Sequence, residues 1–150
     1  MTNELELLIT GRQFRKMCEK EYETIRKKYD LRKIELDILY FLECTKEAQT
    51  ARDIARIKQI SKAHISSAVE KLVEKSMLET REDTADRRRI ILEVTRAGKA
   101  VVKELVFIRQ RMSQIVYKGI TEEEQRVMQQ VAEKMLKNMQ EEMESAGKEI

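Results

Sequence analysis

Proline and tryptophan are absent from this 150-residue chain, and glycine, cysteine and histidine are scarce, with 4, 2 and 1 copies. The cysteines, Cys18 and Cys44, cannot form a disulfide framework, and one histidine does not fit a zinc motif. No run approaches the roughly 18 apolar residues that a membrane-spanning helix needs. The N-terminus lacks the basic residues and apolar run of a signal peptide. We therefore expect a cytoplasmic protein without a metal, a cofactor or a membrane contact.

Charged residues are unusually abundant, at 38% of the chain, while aromatic residues reach only 5%. Such a mixture of Glu, Lys, Arg, Leu and Met is typical of long helices, and the length fits one domain over residues 1–150. The net charge is zero over residues 1–45, +4 over 46–100, +3 over 101–120 and −4 over 121–150. A basic middle suits a nucleic-acid-binding module, although solvated helix faces would give the same asymmetry.

Apolar residues recur every three or four positions in the N-terminal part, which predicts two helices. The first covers about residues 3–29 and ends at Asp30. Its apolar face consists of Leu8, Gly11, Phe14, Cys18, Tyr22, Ile25 and Tyr29. The second covers about residues 33–44 and is apolar on most sides, so we expect it at the centre of the fold. Cys18 and Cys44 are interpreted as packing residues, with oxidant sensing as the alternative.

The middle of the chain predicts a short helix, a turn, a second helix and a β-hairpin. Thr50 and Asp53 form a capping box for the short helix, whose inward residues are predicted to be Ile54, Ala55 and Ile57. Ser61 is a suitable N-cap for the second helix, which ends near Ser76. Its predicted buried residues are Ile65, Ala68, Val69, Leu72 and Val73. Residues 77–81 and 90–94 form the strands, and 82–89 form a charged tip.

Two further long helices are predicted. Thr95 caps one that runs to about Tyr117, and a capping box of Thr121 and Glu124 begins the other. Their apolar positions are Val101, Val102, Leu105, Ile108, Met112, Ile115 and Val116, and then Val127, Met128, Val131, Met135, Met139 and Met143. The methionines are interpreted as core fillers, with a ligand pocket as the alternative. Glu122, Glu123 and Glu124 fit a helix start better than carboxylate chemistry.

The helix after Ser61 has the features of a recognition helix. Small and hydroxyl residues on its outward side would let it enter the major groove of DNA and offer hydrogen bonds to base edges. Free amides at its start favour a phosphate. We predict DNA contacts from Ser61, Lys62, His64, Ser66, Ser67 and Lys71. A surface helix of any helical domain would look similar, and His64 has no Cys or His neighbour that would suggest a metal.

The hairpin tip carries three consecutive arginines, Arg87, Arg88 and Arg89. Their side chains cannot share one face of a strand, and their mutual repulsion costs stability. Contact with phosphates or a narrow minor groove would explain them, so we predict DNA contacts from all three. Asp86 could pair with one arginine and brace the tip. A solvated run of charges is the alternative.

Together these residues resemble the MarR family of bacterial transcription regulators. Asp86-Arg87-Arg88, six further residues and then Thr95-Arg96-Ala97-Gly98 look like the D-R-R-x6-T-x-x-G signature of the MarR wing. Residues 60–67 and 72–78 are similar to the family's recognition helix and its L-x-x-K-G-L exit. The chain departs from the pattern at Ser76, where the family usually has glycine.

The resemblance implies a mostly α fold with a small β-hairpin. A winged helix-turn-helix lobe would cover about residues 31–98, and dimerisation helices about 3–29 and 99–145. A homodimer would bind a pseudo-palindromic operator in double-stranded DNA, with recognition helices about 34 Å apart. Most members are repressors released by a small-molecule effector or a stress signal.

The sequence gives no support to an enzyme, because it lacks a nucleophile–base pair, a glycine-rich phosphate loop and metal-ligand spacing. The remaining alternative is a winged helix used for protein interaction or dimerisation, without a role on DNA. A protein-docking tip would present aromatic or aliphatic anchors, and this tip presents arginines.

Overall fold

The computed structural model describes the backbone of residues 3–45 and 49–148 and the side chains of residues 11–45 and 49–147. It divides into two compact units, residues 1–113 and 114–150. The elements of the described part are α1 (Asn3–Tyr29), α2 (Lys33–Cys44), α3 (Ala51–Lys58), α4 (Lys62–Glu74), β1 (Leu78–Glu82), β2 (Ile90–Val94), α5 (Arg96–Val116) and α6 (Glu122–Lys148). The predicted fold class, mostly helical with one hairpin, is confirmed.

The core of the first unit is built around α2, as its apolar composition predicted. Leu36, Ile38 and Leu39 are at most 3% exposed. Residues of α1, α4, β1 and α5 join them in one cluster, among them Cys18, Ile65, Leu72, Leu78 and Val101. The short α3 packs on α4 and contributes Ile54 to the same cluster. Because the cluster holds α3, α4 and the hairpin against α2, it fixes which side of α4 faces solvent.

The predicted helix caps are confirmed. Thr50 Oγ1 accepts a hydrogen bond from Asp53 N at 3.1 Å, and the Asp53 carboxylate accepts one from Thr50 N at 3.0 Å. Thr121 and Glu124 make the same reciprocal pair at the start of α6, at 3.1 and 2.8 Å. These side chains satisfy amides that have no partner within the helix, so each cap fixes where its helix begins.

Three predicted burials in the first unit are wrong, and in the second unit Ile115 and the α6 methionines interpreted as core fillers are also 40–74% exposed. Ile57 and Val73 are 41% and 39% exposed, because each lies at the border of an apolar face that is narrower than the spacing suggested. Cys44 is also exposed, since it is the last residue of α2, where the core no longer covers the helix. Cys18 is buried, as predicted. The side chain of Leu8 lies outside the described residues.

Charged contacts fasten α1 to α5 within the first unit. Lys28 Nζ lies 2.8 Å from Glu104 Oε1, and the Tyr29 hydroxyl donates to the other oxygen of the same carboxylate. Farther along the two helices, Arg111 pairs with Glu21. The hydrogen bonds from Lys28 and Tyr29 hold the pKa of Glu104 below its ordinary value, because both stabilise the charged form.

β1 and β2 form an antiparallel hairpin in which Leu78 pairs with Val94 and Glu82 with Ile90. The first strand begins one residue later than predicted and extends to Glu82, which leaves residues 83–89 as the tip. The backbone amide of Leu92 donates to Gln49 O at 2.8 Å. The segment before α3 is therefore tied to the outer edge of the hairpin.

Ser76 lies between α4 and β1 in the left-handed conformation, with φ of +58°. That conformation costs a residue with a Cβ about 1–2 kcal/mol, and glycine avoids most of the penalty. We expect Ser76→Gly to raise the free energy of unfolding by about 1 kcal/mol, measured by chemical denaturation. Ser113→Gly, the same change inside α5, should lower it because glycine is a poor helix former. Destabilisation by both variants would contradict the prediction.

Candidate nucleic-acid interface

The α4 helix presents one polar side to solvent because its other side is anchored in the core. Ile65, Ala68 and Leu72 are completely buried against α2, α3 and β1. Of the six residues predicted to contact DNA from α4 and its N-cap, five are exposed and Ser66 is half-buried; the exposed ones are Ser61, Lys62, His64, Ser67 and Lys71. The structure thus leaves hydroxyl, imidazole and ammonium groups of this helix and its N-cap accessible to solvent.

The start of α4 is organised by Ser61. Its hydroxyl oxygen accepts a hydrogen bond from His64 N at 3.3 Å and lies 2.8 Å from His64 Nδ1. The predicted N-cap is confirmed, and the cap also holds the imidazole ring. In the last turn of α4, Lys71 Nζ lies 3.8 Å from Glu74 Oε2. Both side chains are exposed, so solvent weakens this ion pair.

The hairpin tip is folded by its two aspartates. Asp83 Oδ1 accepts a hydrogen bond from Ala85 N at 3.1 Å, and Asp86 Oδ1 accepts one from Arg88 N at 3.0 Å. Arg89 N donates to Asp86 O at 3.0 Å and closes the turn. Asp86 therefore braces the tip through the backbone, and the predicted side-chain pair with an arginine is not found among the described residues.

The three arginines of the tip differ in their surroundings. Arg89 lies 3.6 Å from Asp53 Oδ2 and 3.8 Å from Asp83 Oδ2, so its guanidinium is shared between α3 and the hairpin. Arg87 and Arg88 are exposed, and no ion pair involves them within residues 11–45 and 49–147. Two arginines at the apex are thus available to a partner, and the third is engaged in the free protein.

Asp53 joins the N-terminus of α3 to the tip. Its carboxylate accepts hydrogen bonds from Gln49 N and Thr50 N, both at 3.0 Å, in addition to the contact with Arg89. Partial burial by itself would raise the pKa of Asp53. The hydrogen bonds and the Arg89 charge outweigh that effect and hold the pKa below its ordinary value. The carboxylate is therefore ionised at neutral pH, as the contact with Arg89 requires.

The sequence indicated the capping role of Asp53 but not its contact with Arg89. Nothing in the local pattern could indicate it, because the two residues meet only when the hairpin folds back on α3. A capping aspartate in a lobe rich in arginine is nevertheless a candidate for such a long-range ion pair.

The described residues contain no cluster of three or more His, Cys, Asp or Glu side chains suited to a metal ion. None of their helices is long and apolar enough to cross a membrane.

Residues 31–98 match the family described as "Winged helix DNA-binding domain". The chain is also similar to the HTH-type transcriptional regulator YwaE of Bacillus subtilis (strain 168), with 30% identity over 111 residues. That alignment covers 74% of this chain and 64% of YwaE, so the chain spans less than two thirds of this relative.

Solved structures with the same fold are regulators of the MarR type. MepR of Staphylococcus aureus, a transcription regulator of the multidrug efflux pump MepA, is 21% identical with a TM-score of 0.68, over 93% of this chain and 99% of MepR. A complex of MepR with DNA gives a TM-score of 0.68 at 21% identity, over 92% of this chain and 98% of that chain. A MarR protein of Peptoclostridium difficile gives the same score and identity, over 94% and 90%. The likeness shows the fold.

Proposed function

Because residues 31–98 match the winged helix DNA-binding domain family, we propose that the whole chain is a sequence-specific transcription regulator of the MarR type. It acts as a repressor that binds a pseudo-palindromic operator as a homodimer and leaves it on a small-molecule or stress signal. The observation that carries this proposal is the pairing of an exposed polar side of α4 with a tip whose Arg87 and Arg88 have no ion-pair partner among the described residues.

The chemistry of the two surfaces fits the two grooves of DNA. Ser61, Ser66, Ser67 and His64 offer short hydrogen-bonding groups to base edges in the major groove, and Lys62 and Lys71 reach flanking phosphates. Arg87 and Arg88 reach the minor groove or the adjacent backbone. To contact a phosphate, Arg89 would have to share its guanidinium between the phosphate and Asp53, or break its contact with Asp53. We therefore assign Arg89 mainly to positioning the tip.

Exposed apolar surface supports the homodimer. On α6 an uninterrupted series of large apolar side chains is 40% exposed or more: Val127, Met128, Val131, Met135, Leu136, Met139 and Met143. In the first unit, Phe107 on α5 is 64% exposed. A soluble monomer rarely exposes a contiguous apolar face of this length, and a second copy would cover it. Two recognition helices related by a two-fold axis then read two half-sites.

A groove between α1 and α5 supports release by a small molecule. It is an open groove of about 660 Å³, within the size range of ordinary ligand sites, and its lining includes the apolar residues Ile25, Phe107 and Ile108. Lys20 and Lys103 also line it. A ligand bound there would change the packing of α1 against α5, the helices assigned to the dimer.

The hairpin tip, residues 83–89, presents no aromatic or large aliphatic side chain that could anchor a protein partner. The interaction module is therefore the weaker candidate.

Removal of one free arginine tests the role of the wing. We expect Arg88→Ala to weaken DNA binding by about tenfold and to reduce the slope of log affinity against log salt by about one, since one phosphate contact is lost. The measurement is a titration of an enriched operator at several salt concentrations. Arg126→Ala is the charge-matched control, because Arg126 on α6 pairs only with Glu123 of the same helix among described residues.

Selection from random duplex DNA supplies that operator and tests the function itself. An enriched pseudo-palindrome whose binding falls steeply with salt would support the dimeric reader. Weak binding without an enriched sequence would contradict it and favour the interaction module. If the operator is found but Arg88→Ala leaves both affinity and salt slope unchanged, the wing has no part in binding.

A further inference from the structure

The chain's single histidine, His64, lies in the first turn of α4, and Ser61 contacts it twice. A hydroxyl group has one proton to donate and two lone pairs that accept. The Ser61 oxygen already accepts from His64 N at 3.3 Å. Its proton is therefore free for the ring nitrogen Nδ1, which lies 2.8 Å away. Donors of either kind lie at this distance, and a proton donated by Ser61 satisfies the ring nitrogen while the oxygen keeps its contact with the backbone amide.

If Nδ1 accepts the serine proton, the neutral imidazole must carry its own proton on Nε2. The cap also restrains the ring, because one oxygen binds both the backbone amide and the side chain of the same residue. The exposed edge of His64 then offers one donor and no acceptor. The position of the residue matters, since the N-terminal residues of a recognition helix are the ones that reach base edges.

We propose that Ser61 holds His64 in the form protonated on Nε2, and that His64 thereby excludes cytosine at one position in each half-site. The inference rests on the proposed function. In the major groove guanine, adenine and thymine each present an acceptor, whereas cytosine presents only a donor. A fixed N–H donor is therefore compatible with the first three bases and opposes cytosine at the contacted position. Ser61 is a positioning residue, because it acts through the histidine.

The protonation of the ring can be read directly, because one histidine gives one set of imidazole nitrogen signals. Nitrogen-15 spectra of histidine-labelled protein, recorded well above the ordinary histidine pKa of about 6.5, distinguish protonated from unprotonated ring nitrogens. We expect an unprotonated Nδ1 and a protonated Nε2, free and bound to DNA. A protonated Nδ1 in the wild-type protein would overturn the proposal.

A variant that keeps the cap but reverses the hydrogen bond gives the sharpest control. Aspartate caps helices as well as serine does, but an ionised carboxylate only accepts. In Ser61→Asp a neutral ring must therefore carry its proton on Nδ1, which leaves Nε2 as an acceptor. The selection is run well above the ordinary histidine pKa of about 6.5, because a carboxylate also favours the doubly protonated ring, in which both nitrogens donate. The added negative charge weakens binding to every sequence. The informative quantity is the base preference within the sites that the variant still selects, and cytosine should now be accepted at the contacted position.

Replacement of the ring completes the test. His64→Gln offers both a donor and an acceptor, the arrangement that pairs with adenine. We expect its selected sites to disfavour cytosine at the contacted position about five- to tenfold less strongly than those of the wild type, the ratio for one hydrogen bond. An enriched operator with the same base preference in wild type and His64→Gln overturns this inference and leaves the proposed function standing. Failure of every variant and of the wild type to enrich any site overturns both.

Discussion

Replacing Gly98 by alanine is expected to lower the free energy of unfolding by about 3 kcal/mol, the upper part of the range for overpacked sites. A Cβ at this position would lie 2.4 Å from Met77 O and 2.7 Å from Val94 Cγ1, both too short for any real contact. The first of these atoms belongs to the backbone, and Met77 O also accepts the amide of Thr95 at 3.0 Å. It cannot retreat without breaking the junction between the hairpin and α5.

Gly11→Ala is the matched control for this prediction. Gly11 lies within α1, and nothing comes within 4 Å of the position that its Cβ would take. Alanine is the better helix former by about 1 kcal/mol, so this variant should be slightly more stable than the wild type. Thermal or chemical denaturation of the two variants separates close packing from helix propensity. Equal stability of Gly98→Ala and Gly11→Ala would show that the α5 junction is not tightly packed.

Lys75→Met is expected to destabilise the protein by about 2–3 kcal/mol. The Glu35 carboxylate is 1% exposed, and Lys75 Nζ lies 3.6 Å from its Oε2 atom. Lys75 Nζ also donates to Asp30 O, so one ammonium group joins the turn after α1 to the start of α2. Loss of one partner from a buried pair costs about 3–5 kcal/mol. We expect less because Lys75 is 27% exposed and Arg32 still binds Glu35, through its amide at 2.6 Å and its guanidinium Nε at 3.4 Å.

A second variant distinguishes a stranded charge from lost packing. In the double variant Glu35→Gln, Lys75→Met the buried carboxylate that lost its lysine is gone, and the protein should be more stable than Lys75→Met alone. Lys27→Met controls for the chemical change itself, since Lys27 pairs with Glu23 on the surface with 77% and 50% of the side chains exposed. Its effect should stay within about 0.5 kcal/mol. Additive losses in the double variant would mean that Glu35 and Lys75 stabilise the fold independently.

The features that the sequence predicted well are those encoded locally. The bounds of α1 and α2 follow from apolar spacing, and the starts of α3 and α6 follow from threonines three residues before an acid. The left-handed turn at Ser76 was indicated by its place in a motif that usually has glycine. Each of these signals lies within a few residues, so no knowledge of the tertiary fold was needed.

The features that were missed depend on residues far apart in the chain. The sequence pattern did not single out Glu35, an acid in the first turn of α2, which is buried where Lys75 reaches it from the end of α4. Ile57 and Val73 were assigned to the interior because spacing shows which residues share a helix face but not how much of that face is covered. The exposed apolar series on α6 illustrates the same limit, since its spacing does not say what lies against it.

The link between Asp53 and Arg89 means that ionic strength acts on the wing in two ways. In the free protein, dissolved ions weaken a contact whose arginine side chain is 43% exposed, so the tip becomes less firmly held to α3. In the proposed complex with DNA, the same ions would compete with Arg87 and Arg88 for phosphates. A rise in salt concentration would thus loosen the tip of the free protein and also weaken its attraction to DNA, so both effects would lower the affinity.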